Sequence, residues 1–327
     1  MPLTIHFVNV GHGDCTIIEF DSGRIIMIDI NNSKVLPNED KKSLAKSLGY
    51  SDIHILVAEA KRTLLKGLDR YENLLVDPVD YLKEEYPDAA ISTFILTHPD
   101  MNHMSGLSRL VSQEHISISN FWDTNNSKKM STADFQNSPN EYADWVQYQT
   151  LRAGVDKDDE TTAVQLGRGA SGNYHPEDGI FILSPTKELE QLAEDNGNYN
   201  ISSYVLLIKY GACKIILGGD AEEATWKDIY FNYNDEFLSS TLLKASHHGR
   251  KSGYYQPVIK AISPKYTIVS VGKKPETDAS HLYAQYSDVF STRYHGTITA
   301  KCWANGDIWL YNHENNRIQV QDMMKPF

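Results

Sequence analysis

Cysteine is scarce in this chain: Cys15, Cys213 and Cys302 are the only three among 327 residues, and none falls in CxxC spacing. That argues against a disulfide scaffold and for a cytoplasmic protein with reduced thiols. Long apolar runs are missing as well. No stretch approaches the ~18 consecutive apolar residues that cross a bilayer. The opening Met1-Pro-Leu-Thr-Ile-His6 lacks the basic segment and apolar core of a signal peptide, so no membrane partner is expected. Basic residues are in deficit, 31 Lys and Arg against 43 Asp and Glu, for a net charge of −12. A generic nucleic-acid binder carries a basic stripe, because phosphate neutralisation supplies much of its affinity. Tight nonspecific DNA binding is thus disfavoured; a nuclease is not, since bound cations invert the potential of a site. What is present is an ordinary globular balance, 41% hydrophobic and 23% charged, which points to a packed core rather than disorder.

Chemistry concentrates in Phe94-Ile-Leu-Thr-His98-Pro-Asp100-Met-Asn102-His103. A short apolar run passing into a polar turn reads as a strand followed by a loop. Two histidines, a carboxylate and a carboxamide stand close together there. Imidazole and carboxylate are ligands that suit Zn, Mn and Fe, and catalytic sites leave one position open. Pro99 argues against a continuing helix, so a loop that turns its side chains toward one point is expected. The plain alternative is a surface loop with histidines by chance. Two more strand ends weigh against chance: Lys214-Ile-Ile-Leu-Gly-Gly219-Asp220, and Leu242-Leu-Lys-Ala-Ser-His247-His248-Gly249.

Together these motifs resemble those of the metallo-β-lactamase fold, and are most similar to the soluble domain of the DNA-uptake competence proteins. Phe7-Val-Asn-Val-Gly11-His12-Gly13-Asp14 and Ile26-Met-Ile-Asp29 match the opening strands of that branch, and Asn200-Ile-Ser-Ser203 stands where it lacks the usual third-motif histidine. The likeness runs in order over roughly residues 4 to 310. It implies an α+β protein, a four-layer αββα sandwich in one domain over 1–327, with inserts near 35–80 and 124–175. It also implies one or two divalent ions, Zn or Mn before Mg. His98 and Asp100 would hold one ion, Asn102 and His103 would help hold a second, Asp220 would bridge, and one of His247 and His248 would complete the set. Asn102, Asp220 and His247 are the residues expected to act in catalysis. Ser203, Lys251 and His281 are expected to contact substrate.

Several residues receive supporting roles. Asp14 is expected to stabilise its own turn, Asp29 to orient the metal loop, and His12 to be a turn residue near the site. His175 is not expected to be a ligand. Asp77-Pro78 opens a helix, Ile116 to Asp123 forms a strand, and two strands meet at Tyr210-Gly211. Glu222 and Glu223 open another helix, where acids favour the dipole. The 124–162 stretch either frames the substrate groove or is a solvated helical excursion.

Asn102 departs from the resembled pattern, which has Asp there. A neutral amide is nearly isosteric with Asp but binds a divalent ion more weakly and is no general base. The second ion is then weakened or lost, or the chain is a silenced enzyme or a binding module. The favoured function is a metal-dependent hydrolase, a phosphodiesterase or nuclease acting on DNA, RNA or nucleotides. Alternatives are hydrolysis of a non-nucleic phosphoester, or a weakly catalytic binding subunit within a multi-protein assembly such as a bacterial defence system.

Overall fold

The computed structural model describes residues 1–32, 41–42, 45, 69–136, 138–154, 161–170, 176–270 and 277–319. Much of the expected 35–80 insert, part of the 124–175 insert and His175 lie outside the described residues.

Two mixed sheets face each other. The first uses β1 (Leu3–Phe7), β2 (Thr16–Glu19), β3 (Ile25–Ile28), β5 (Ile91–Ile95), β7 (Ile118–Trp122), β8 (Thr162–Val164), β15 (Ile298–Cys302) and β16 (Ile308–Tyr311). Their spatial order is β16-β15-β1-β2-β3-β5-β7-β8, antiparallel up to β3 and parallel from β3 onward. The second uses β9 (Ile180–Ser184), β10 (Val205–Tyr210), β11 (Cys213–Leu217), β12 (Leu242–Lys244), β13 (Tyr266–Val269) and β14 (Asp288–Ser291). Its order is β14-β13-β12-β11-β10-β9, parallel from β14 to β11 and antiparallel at the other edge. A two-residue pair, β4 (Ile30–Asn31) with β6 (Met104–Ser105), ties the end of β3 to the segment just past His103.

Side chains alternate across each strand, and the alternation builds the layers. Leu3, Ile5 and Phe7 of β1, Ile26 and Ile28 of β3, Leu206 and Ile208 of β10, and Ile215 and Leu217 of β11 share one buried cluster between the sheets. Ile17, Ile25, Met27 and Phe94 point the other way, against α1 (Pro78–Glu85) and α2 (Tyr142–Arg152) through Val79, Leu82, Trp145, Tyr148 and Leu151. A further helix, α3 (Lys187–Asn196), follows β9. On the far side of the second sheet, Leu207, Ile216 and Leu243 pack on α4 (Glu223–Asn232) and α5 (Gln256–Ile262) through Trp226, Ile229, Val258 and Ile259. The result is helix, sheet, sheet, helix, the expected four-layer sandwich. The burial of Trp145 and Tyr148 makes α2 a structural layer rather than a solvated excursion. Among the described residues, no helix is long and apolar enough to cross a membrane.

One buried polar group fastens α1 to the first sheet. His6 Nδ1 lies 3.0 Å from Thr299 Oγ1 and 2.8 Å from the Tyr81 hydroxyl, and Nε2 lies 2.9 Å from the Tyr86 hydroxyl. Burial, aided by Lys301, lowers the His6 pKa to about 4. A depressed base is neutral in the fold, so its stability contribution is complete above the unfolded value of about 6.5 and is lost as pH falls toward 4. The loss is expected to reach roughly 3 kcal/mol by pH 4. Urea unfolding at pH 7 and pH 4 checks this. The difference should shrink in His6→Gln, which does not titrate; an equal difference in both proteins would rule the assignment out.

Candidate metal centre

The chemistry-bearing residues sit just past the carboxyl ends of parallel strands, the usual binding edge of such sheets. Asp29 follows β3, and Thr97 and His98 follow β5 in the first sheet. Asp220 follows β11, and Ser246 to His248 follow β12 in the second. The two sheets thus each deliver half of one site.

Local backbone does the aiming. After β5, the Asp100 amide donates back to the His98 carbonyl at 2.9 Å, and Met101–His103 make a single 3-10 turn. The strand has already ended at Ile95, and past Pro99 the chain makes this one turn rather than a long helix. Gly219 has φ +48°, and a Cβ there would meet Ser203 Oγ at 2.5 Å. The site edge accordingly needs glycine at that bend. His247, His248 and Gly249 all have positive φ, at 50°, 63° and 94°, and so does Asp29 at 57°. Non-glycine residues enter this region at a cost of roughly 1–3 kcal/mol each. Their hydrogen bonds hold them there: the His247 amide donates to the Gly219 carbonyl at 2.9 Å, and the Thr97 amide donates to Asp29 Oδ1 at 2.7 Å.

Asp220 is the centre. Its Oδ2 lies 3.3 Å from His103 Nε2, 3.3 Å from His248 Nε2, 3.7 Å from His247 Nε2 and 4.0 Å from His98 Nε2. Asp100 Oδ2 lies 3.5 Å from His98 Nε2. Among the described residues, two triplets bring ligand atoms within 4.8 Å of one another: His98, His103 and Asp220, and Asp14, Asp220 and His248. All of these are buried.

Behind the histidines stand carboxylates. Asp29 Oδ2 is 2.7 Å from His103 Nδ1 and also accepts from Thr97 Oγ1 at 2.7 Å. Asp29 therefore anchors the loop that carries His98 and His103. Asp14 Oδ2 is 3.5 Å from His248 Nδ1, and Asp14 Oδ1 accepts from Lys244 Nζ and Ser270 Oγ, each at 2.7 Å. The role of Asp14 is thus larger than holding its own turn: it joins the first sheet to the second. Carboxylates behind ligand histidines fix tautomer and ring orientation, and raise basicity.

Charge is tightly coupled here. Burial lowers the tendency of His103 to hold a proton, but Asp220 and Asp29 outweigh it and carry its pKa well above the ordinary imidazole value. His248 is raised in the same way by Asp220 and Asp14 against burial. Burial dominates at His247, whose pKa is lowered. Burial alone would raise Asp220, yet His248 and His103 hold it well below the carboxylate range. The cluster demands positive charge, which protons or a metal ion can supply.

The structure brings His98, Asp100, Asn102, His103, Asp220, His247 and His248 to one place. Asn102 Nδ2 lies 3.2 Å from His248 Nε2. Of the two adjacent histidines, His248 is the deeper; His247 is half-buried, with Nδ1 2.8 Å from Ser252 Oγ. Ser203 lies fully buried beneath the centre and accepts a hydrogen bond from the Asp220 amide at 3.0 Å. Lys251 is exposed one residue past Arg250, and His281 is exposed on the helical turn Ser280–Tyr283; neither joins the two triplets. Three cations that the sequence reading passed over do approach. Lys128 pairs with Asp100, Lys244 pairs with Asp14, and Arg250 Nη2 lies 3.0 Å from His12 Nδ1. The His12 and His248 rings are 5.2 Å apart.

A divalent metal fits these residues. His98 Nε2, His103 Nε2 and Asp220 Oδ1 are buried atoms without a hydrogen bond of acceptable geometry. Leaving such groups unmade is costly, and two imidazoles with one carboxylate are a recognised catalytic ligand set.

No family pattern and no curated protein matches this chain. In structure it is similar to the metallo-β-lactamase fold protein YhfI of Bacillus subtilis, at 11% identity over 95% of this chain and 100% of that one, with a TM-score of 0.42. It is also similar to a variant of the β-hydroxylase CmlA, at 11% identity over 91% and 54%, TM-score 0.45. A third is the metallo hydrolase Igni18 of the hyperthermophilic archaeon Ignicoccus hospitalis, at 12% identity over 94% and 99%, TM-score 0.41. At such identities none of them assigns a reaction to this chain.

Proposed function

We propose that this chain is a metal-dependent hydrolase of phosphate esters, with a phosphodiester in nucleic acid or a nucleotide as the favoured substrate. The observation that carries the reading is the buried triplet His98, His103 and Asp220, whose ligand atoms all lie within 4.8 Å of one another and whose His98 Nε2, His103 Nε2 and Asp220 Oδ1 have no hydrogen-bond partner among the described residues. A bound divalent ion supplies Lewis acidity and a nucleophile at neutral pH. The protein's own groups do the rest. Asp29 and Asp14 fix the rings of His103 and His248. Lys128 and Arg250 offer positive charge beside the centre, in a chain whose net charge is −12. Half-buried His247 can exchange a proton with solvent and with a leaving oxygen. The competence-protein likeness of the motifs and the three buried thiols accord with a cytoplasmic DNA- or nucleotide-processing role.

Metal-stripped protein, reloaded with Zn, Mn or Mg, is expected to cleave a generic phosphodiester and to be tested alongside on single- and double-stranded DNA and RNA. Asn102 brackets His248 and is not one of the unbonded ligands, so Asn102→Asp is expected to change kcat by less than about tenfold, about 1.4 kcal/mol. Cleavage by the Asp form alone would identify a silenced enzyme. Cleavage by neither form, with no metal bound, would favour a binding subunit.

A further inference from the structure

Three carboxylates face the centre from separate elements, and two of them already hold a lysine. Lys128, from the loop after β7, pairs with Asp100 Oδ1. Lys244, from the end of β12, is 2.7 Å from Asp14 Oδ1. Among the described residues, Asp220 alone of the three is faced by imidazoles without an ammonium as well, and its Oδ1 has no hydrogen-bond partner. Asn102, standing between, adds no charge and directs Nδ2 to His248 Nε2, the nitrogen through which that ring faces Asp220. A dication and an ammonium on one carboxylate repel each other. The Asp100 position is therefore unfavourable for an ion while Lys128 is there.

Resting on the hydrolase reading, we propose that this chain holds a single divalent ion, on His98, His103 and Asp220, and that the Lys128 ammonium takes the place of a second ion against Asp100. The lysine is a fixed point charge that can face a substrate oxygen but cannot generate a nucleophile. One ion then does the Lewis-acid work, and one side chain does the anion clamping.

The test counts ions. Metal-stripped protein is equilibrated with Zn or Mn, the bound metal is measured by elemental mass spectrometry and calorimetric titration, and phosphodiester hydrolysis is followed in parallel. Wild type is expected to hold one ion per chain. Lys128→Met, which keeps the stem and drops the charge, is expected to hold two, and Lys128→Arg to hold one. Lys128→Gln is a second neutral variant should the Met form fail to fold. Two ions in wild type, or one in the neutral variants, overturns this proposal while leaving the hydrolase reading intact. No ion in wild type together with no hydrolysis overturns the hydrolase reading itself.

Discussion

Asp220→Ala is expected to lower kcat/KM for phosphodiester cleavage by about 10³-fold, equivalent to about 4 kcal/mol, and to abolish tight metal binding. The reason is positional. Asp220 Oδ2 lies within 4.0 Å of the nearest nitrogen of four different histidines. Removing it takes away the one carboxylate shared by both triplets. His103 and His248 lose the first of the two carboxylates that raise them against burial. Metal content and steady-state kinetics of the same preparation decide the matter. Full activity in a metal-loaded Asp220→Ala protein would show that the reacting centre lies elsewhere.

The second large effect is on stability. Asp14→Ala is expected to destabilise the fold by about 3–5 kcal/mol, because it leaves the Lys244 ammonium buried without its partner. Both side chains are almost fully buried, at 9% and 6% exposure, and the pair spans the two sheets. Burial pushes the Asp14 carboxyl up, but Lys244 and His248 hold it far below the usual range. Its contribution is therefore present above the unfolded carboxylate value of about 4 and fades as pH falls below it. Adding Lys244→Met to Asp14→Ala should recover most of the loss, since an apolar replacement of a buried ion pair is often neutral. Denaturant unfolding of the two single variants and the double variant measures the coupling. Additive losses would mean the pair does not act as a unit.

How much of this was legible in the sequence depends on distance along the chain. The loop from His98 to His103 can be read because its signals are local: an apolar strand, ligand-type side chains just past it, and a proline among them that argues against a continuing helix. Asp220 and His248 can be read for the same reason, each ending an apolar run. The two sheets follow from strand alternation, as in Leu3, Ile5 and Phe7. Sequence alone could not tell His247 from His248; both have left-handed backbone, and they differ in that His248 is buried and His247 half-exposed. Lys128 has no local signal, since it reaches Asp100 from an irregular loop 28 residues away. Asp14 reads as a turn residue because its partners Lys244 and Ser270 are 230 and 256 positions distant. One clue was available: Lys244 ends the run Leu242-Leu-Lys, and a lysine in a buried strand calls for a carboxylate.

The first sheet carries a consequence for how the chain is made. β1 lies between β2 and β15, with Leu3 opposite Cys302. A ribosome adding roughly 5–20 residues per second needs on the order of 15–60 s to supply that second neighbour. Until then one edge of β1 stays unpaired, open to wrong partners. His98 and His103 emerge well before Asp220 and His248, so the two halves of the candidate metal centre also meet late. Non-local pairing of this kind folds slowly, and the newborn chain spends that interval dependent on whatever shields its edges.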